Sequence, residues 1–298
     1  MSVQARSRFL DLRALAALAH LRFSTRQRAE GQFGGRHVSR RQGGAGEFVD
    51  FRQYSGGEDL RRVDWKVLAR TGKAFVRLHQ DETNLRTVLA IDASGSMGYG
   101  HRHGTKLSYV QYLATALSHV IAGTQDQVGL AILGSSLDEF IPPGSTPNHV
   151  ARIQERIESI EPQPSSIMAP ALLDLFTRNS RRGVLLLLSD FLMDDLQEVF
   201  AAVRLFRHRG FEVIVLHVLH PEEERLPPGA ALRFADMEGP GHLDCSPAEI
   251  EAAYGQRLKA HLAGVRQHAL AGGCDYRFVS TAVPYLQTLH GFLVERAG

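Results

Sequence analysis

Between residues 85 and 298 the chain switches repeatedly from short, nearly unbroken aliphatic runs to longer stretches of helical period, and this alternation leaves few folds open. The runs are a segment from Thr87 that stops at Asp92, then Val128–Leu133, Val184–Leu188, Glu212–Leu219 and Tyr276–Ser280. A shorter one, Glu139–Ile141, precedes the turn Pro142-Pro143-Gly144. Helices are expected over Thr105–Ala122, His149–Ile160, Ala169–Arg178, Asp195–Arg207 and Pro247–Leu270, the last behind Ser246 as N-cap, with a final helix from Pro284. Strands with no polar face must be covered on both sides. The pattern therefore predicts an α/β fold, a doubly wound, mostly parallel, Rossmann-like sheet, and a single domain accounts for residues 85–298.

The first 84 residues differ in kind and are read as a basic segment containing a helix, a loop and some β-structure. Residues 1–80 carry 16 Lys and Arg against 7 Asp and Glu, a net +9, and the remainder carries 18 against 25, a net −7, within a chain total of +2. Opposite charges attract, and no linker marks Asp81, so this small β-containing extension is expected to wrap on the larger domain. Phe9, Leu12, Leu15, Leu18 and Leu21 recur at helical spacing and are read as core-packing. Gly31–Gly46 is rich in Gly and Arg, without hydrophobic period, and is read as a basic loop. Two β-like stretches, Glu47–Tyr54 and Ala74–Leu78, flank the sole tryptophan. Trp65 is expected to be buried and structural. Alternatively, Arg61, Arg62, Asp64, Trp65 and Arg70 form a recognition surface for an acidic partner or nucleic acid. Asp59 and Asp64 partly neutralise that cluster, and no aromatic ladder suited to base stacking accompanies it, which argues against nucleic acid.

Two cysteines cannot build a disulfide framework, no signal-peptide core opens the chain, and no apolar run approaches the roughly 18 residues of a membrane helix. A cytoplasmic protein without a membrane span is expected.

The segment Thr87-Val-Leu-Ala-Ile-Asp-Ala-Ser-Gly-Ser-Met carries the chemistry. It places the Asp92 carboxylate and the Ser94 and Ser96 hydroxyls just past a strand, where ligands gather in open parallel sheets. Oxygen donors alone suit Mg2+ or Mn2+ rather than zinc. Asp190 follows the strand Val184–Leu188 in the same way, and the loop Gln163-Pro164-Ser165-Ser166 offers a further hydroxyl. By contrast, His101 and His103 are read as part of a solvated loop, His217 and His220 as structural, and Pro221–Arg225 as a solvated acidic turn.

Asp92-x-Ser94-x-Ser96 resembles the metal-ion-dependent adhesion site of von Willebrand factor A-like domains. The resemblance implies that Ser166, with Ser165 as its substitute, and Asp190 complete the metal site. It also implies that serine oxygens bind the metal directly while the aspartates act largely through water. Glu47–Tyr54, Gly57–Lys66, Ala69–Lys73, Lys106-Leu-Ser-Tyr, Asp126–Ala131 and Ser189-Asp190-Phe resemble the bacterial "domain of unknown function 58" proteins, in their short soluble form. That family implies a MoxR-type AAA+ ATPase as partner.

Three functions follow as expectations. The first is a non-catalytic, Mg2+-dependent adaptor that links the ATPase to an unknown client protein and whose metal accepts a partner carboxylate. The second is nucleic-acid or anionic-surface binding through the basic segment. The third is metal-dependent phosphoryl transfer. The last is disfavoured: Ser94 stands where an aspartyl phosphatase wants a second Asp, and no Gly-x-Ser-x-Gly elbow or phosphate-binding Gly-x-x-x-x-Gly-Lys loop is present.

Overall fold

The computed structural model describes residues 8–11, 15–16, 21–25, 47–54, 63–80, 85–100, 104–164, 167–193, 195–228, 232–239 and 241–297. The chain divides into two compact units, one of Arg26–Leu85 and one of Met1–Thr25 with Arg86–Gly298. The break after Leu85 falls one residue beyond the boundary drawn from sequence. The first 25 residues, however, group with the large unit and not with the basic segment.

In the small unit, β1 (Glu47–Gln53) pairs antiparallel with β2 (Phe75–Gln80), with an irregularity between Phe48 and Asp50. The helix α1 (Trp65–Thr71) lies between them in sequence. Asp64 caps it by accepting from the backbone N–H groups of Lys66 at 2.9 Å and Val67 at 3.1 Å. Gly72, at φ 68°, ends it in the left-handed conformation that costs glycine least. Trp65 is 59% exposed at the helix start, which corrects the expectation of a buried tryptophan. It occupies the first position of a seven-residue helix with no buried residue.

The main sheet of the large unit has six strands: β3 (Arg86–Asp92), β4 (Gln127–Leu133), β5 (Leu137–Gly144), β6 (Val184–Ser189), β7 (Glu212–Leu219) and, later in the chain, β10 (Asp275–Ser280). Their order is β10-β7-β6-β3-β4-β5, and only the β4–β5 pair is antiparallel. This is the doubly wound, mostly parallel sheet that the aliphatic runs demand. Every residue of β6 and β7 is buried, as is all of β3 and β4 past the first position. After β5 the chain returns to lay β6 beside β3, so the direction of winding reverses between those two strands.

Helices cover both faces. Val88 and Ala90 of β3 share a core with Leu172 and Leu175 of α4 (Met168–Arg178), Val203 and Phe206 of α5 (Leu196–His208), and Val265 and Ala269 of α7 (Pro247–Ala271). The alternating residues Leu89 and Ile91 point to the opposite face. There α2 (Lys106–Gly123) packs against α3 (Pro147–Glu158) and α8 (Tyr285–Ala297). The amino-terminal residues add to this face. The Phe9 ring meets Tyr112 edge-on at 4.6 Å, and Phe23 lies 6.0 Å from Phe292. Ser246 stands at the N-cap of α7 without a side-chain cap bond, so Pro247 at the first position carries that boundary.

Two elements went unforeseen between β7 and α7. A one-turn helix α6 (Pro221–Glu224) follows β7, and β8 (Leu232–Ala235) pairs with β9 (His242–Cys245) in a small hairpin. Four-residue strands with mostly exposed side chains have too little apolar alternation to be read from sequence.

Candidate metal centre

Asp92 ends β3 and Asp190 follows β6, so both carboxylates stand at the point where the winding of the sheet reverses, the usual ligand position of this architecture. Each is wholly buried. The Asp92 Oδ1 accepts the Ser94 backbone N–H at 2.9 Å, and its Oδ2 accepts the Ser189 hydroxyl at 2.6 Å. Ser189 also accepts the Phe191 N–H at 2.8 Å, which ties the two strand ends together. Phe191 takes a φ of 53°, a conformation unusual for an aromatic residue, with its ring between Phe200 and His217.

Beyond Asp92 the chain forms a 3-10 turn, Gly95–Gly98, closed by the Met97 N–H on the Ser94 carbonyl at 3.1 Å. This turn brings the Ser94 and Ser96 hydroxyls to 3.0 Å from one another. Ser94 also bridges to Gln163, and the Gln163 N–H reaches the Ala93 carbonyl at 2.7 Å. On the other side of the loop, Ile167 donates to the Gly134 carbonyl at 3.0 Å. Both flanks of the hydroxyl-bearing loop are therefore anchored, while Ser165 and Ser166 themselves lie outside the described residues.

Charge is unbalanced here. Burial, and next the charge of Asp190, push the Asp92 carboxyl up to about 7, against the hydrogen bonds from Ser189 and Ser94. Lys106, fully buried at the start of α2, is the ammonium of the site: its Nζ lies 2.6 Å from Asp190 Oδ2 and also pairs with Glu223. Glu223 belongs to α6, whose capping box joins His220 and Glu223. Burial raises its pKa, opposed by Lys106. The stretch read as a solvated acidic turn is thus corrected: Glu223 faces inward, paired with Lys106. Neither Lys106 nor Glu223 was singled out as a site residue. The Pro at the first and Glu at the third position of α6 were the available signal for a capped helix start.

Asp64 is the α1 cap, Trp65 and Arg70 are exposed on the small unit, and Arg61, Arg62, His101 and His103 lie outside the described residues. His217 is structural, with Nδ1 at 3.0 Å from the Tyr276 hydroxyl.

The donor set fits a small hard cation. Among the described residues no three His, Cys, Asp or Glu side chains are grouped to hold a metal. What is present is a pair of adjacent hydroxyls beside two buried carboxylates. Asp190 already accepts on both oxygens, from Lys106 and from the Leu192 N–H at 3.0 Å, as does Asp92. The Ser94 and Ser96 hydroxyls, hydrogen-bonded to one another, complete the set of oxygen donors.

Residues 50–263 match the family described as "Protein of unknown function DUF58". The chain belongs to the DUF58 family. An uncharacterized DUF58-length relative from Mycobacterium tuberculosis is 26% identical over 296 residues, covering 96% of this chain and 90% of its own. Among solved structures, this DUF58 chain is similar to the conserved hypothetical protein BatB from Bacteroides thetaiotaomicron (TM-score 0.46, 16% identity, 71% of this chain and 98% of that one). It is also similar to the SpRpn10 VWA domain (TM-score 0.40, 10% identity, 68% and 92%).

Proposed function

We propose that this DUF58 protein is a non-catalytic, Mg2+-dependent protein-binding module. The observation that carries the reading is the pair of wholly buried carboxylates, Asp92 and Asp190, set beside two hydroxyls, with Lys106 paired to Asp190 and not to Asp92. When bound, Mg2+ supplies an electrophilic centre that can accept a carboxylate from another protein. Ser94 and Ser96 hold it, Asp92 and Asp190 balance its charge, and Ser166 or Ser165 adds a hydroxyl. Lys106 keeps Asp190 in place while leaving Asp92 in need of a cation.

The partner inferred from the family resemblance is a MoxR-type AAA+ ATPase, with this chain as the adaptor to a client protein. The test is retention of such an ATPase from a lysate of the native host on the immobilised protein, in Mg2+ and in EDTA. Retention is expected in Mg2+ only, and is lost in a folded Asp92→Ala variant. Equal retention in EDTA sinks the reading.

A further inference from the structure

The tip of the β8–β9 hairpin rests on the turn that carries Ser96. A Cβ on Gly95 would run into the Met237 carbonyl oxygen and stand 3.1 Å from Glu238 Cγ, and one on Gly98 would lie 3.6 Å from Met237 Cε. Gly95 therefore leaves room for the hairpin tip. The tip is shaped for the contact: the Asp236 N–H closes on the Gly241 carbonyl at 2.8 Å, and Asp236 Oδ1 accepts the Glu238 N–H at 2.9 Å. Burial raises the Glu238 carboxyl pKa, and the Ser96 backbone beside it opposes that rise. Met237 is 45% exposed and Glu238 is open to solvent, so the tip is laid on the site from outside and is not built into the core.

A further carboxylate near the buried Asp190 is a liability unless positive charge joins it. Asp190 acts on Glu238 as a like charge, and Lys106 is already shared between Asp190 and Glu223. The chemistry needed at an open cation position is an outside carboxylate, and the hairpin delivers one. We propose that Glu238 is the chain's own carboxylate for the cation held by Ser94 and Ser96, so that the hairpin tip occupies the place of a partner's Asp or Glu and must lift before a partner binds. The hairpin is then a built-in competitor: partners succeed by offering a carboxylate that outcompetes a tethered one. This rests on the metal-binding reading of the site, which the experiment tests separately.

Mn2+ serves as the probe on the full chain, with Glu238→Gln as the variant and Glu249→Gln, on the exposed start of α7, as the control. Glu238→Gln keeps a side-chain oxygen beside the Ser96 backbone but removes the anionic ligand. Expected results are Mn2+ affinity weaker by about tenfold, more metal-bound water by proton relaxation, and tighter binding of added acetate to the Mn2+ form. Hydrogen exchange at residues 236–239 should be slowed by Mn2+ in the wild type and unaffected by it in Glu238→Gln. If Glu238→Gln and wild type bind Mn2+ with equal affinity, equal water count and equal exchange at the tip, the proposal is overturned while the metal site stands. If the wild type binds no Mn2+, and Asp92→Asn behaves identically, both readings fail together.

Discussion

Two buried charge clusters sit at opposite ends of the same sheet, and they are built on different principles. At the amino ends of β7 and β10, Arg296 of α8 pairs with buried Glu212, lies 3.0 Å from half-buried Asp275, and donates to the Ser24 carbonyl at 2.7 Å. The Phe23 and Phe292 rings flank its guanidinium at 5.3 and 5.6 Å. One buried cation meets one buried anion, and the same guanidinium holds Ser24 and Phe23 against α8. At the carboxyl ends of β3 and β6, two carboxylates are buried, and the one ammonium there pairs with Asp190 and Glu223, leaving Asp92 without a cation. Burial is comparable at both ends, so burial alone does not mark the functional one. Charge imbalance does, because an unneutralised buried carboxylate is costly unless something outside the fold completes it.

The comparison breaks most directly at Arg296. Arg296→Met leaves Glu212 buried without its partner and cuts the anchor to Ser24, so a loss of about 3–5 kcal/mol is expected in urea unfolding, with Mn2+ affinity unchanged. A loss below roughly 1 kcal/mol would end the description of this end as structural. Lys106→Met is the matching change at the other end. It is expected to cost about 2–4 kcal/mol in EDTA, and added Mg2+ should restore more stability to the variant than to the wild type, because a cation replaces the missing charge. Equal responses to Mg2+ in both proteins would mean that Lys106 and the metal act independently.

Asp92→Asn sharpens the contrast by separating stability from binding. The amide keeps an acceptor for the Ser94 N–H and removes the like charge beside Asp190, so the variant is expected to gain on the order of 1–2 kcal/mol in EDTA. It should also lose all stabilisation by Mg2+. A destabilised variant in EDTA would show that the carboxylate serves the fold and is not strained by it.

The site's skeleton was legible because strand-end position is a local property. Asp92, Ser94, Ser96 and Asp190 each follow an aliphatic run, and the alternation of runs and helices fixed a parallel sheet whose carboxyl ends converge. The charges that complete the site were not legible. Lys106 and Glu223 meet across 117 positions, and Glu238 reaches Ser96 from a hairpin with no apolar stripe to announce it. Glu223 lay in an acidic run, and a run of charges carries no sign of which member turns inward. Trp65 misled for the reverse reason: its residue type favours burial, but its place at the start of a short helix exposes it.

The smallest expected effect lies at the balanced end, where Cys274 precedes β10. Its thiol is buried, and burial pushes its pKa up to about 11, with nearby Arg207 opposing and Asp275 reinforcing the shift. Unlike Asp92, this group can remain neutral at working pH, so its burial leaves no charge to be completed. In the unfolded chain the thiol ionises near 9, while in the folded protein it keeps its proton to about 11. The folded state therefore holds more protons between those values, and the stability contributed below pH 9 is lost as pH rises through that window. The loss should reach about 1 kcal/mol by pH 10, be absent from Cys274→Ala, and be independent of Mg2+. Thiol labelling provides the direct check: at neutral pH half-buried Cys245 should react in the native protein, and Cys274 only after unfolding. Rapid native labelling of Cys274 would mean that this end of the sheet opens locally, and the contrast between a closed structural end and an open functional end would fail there first.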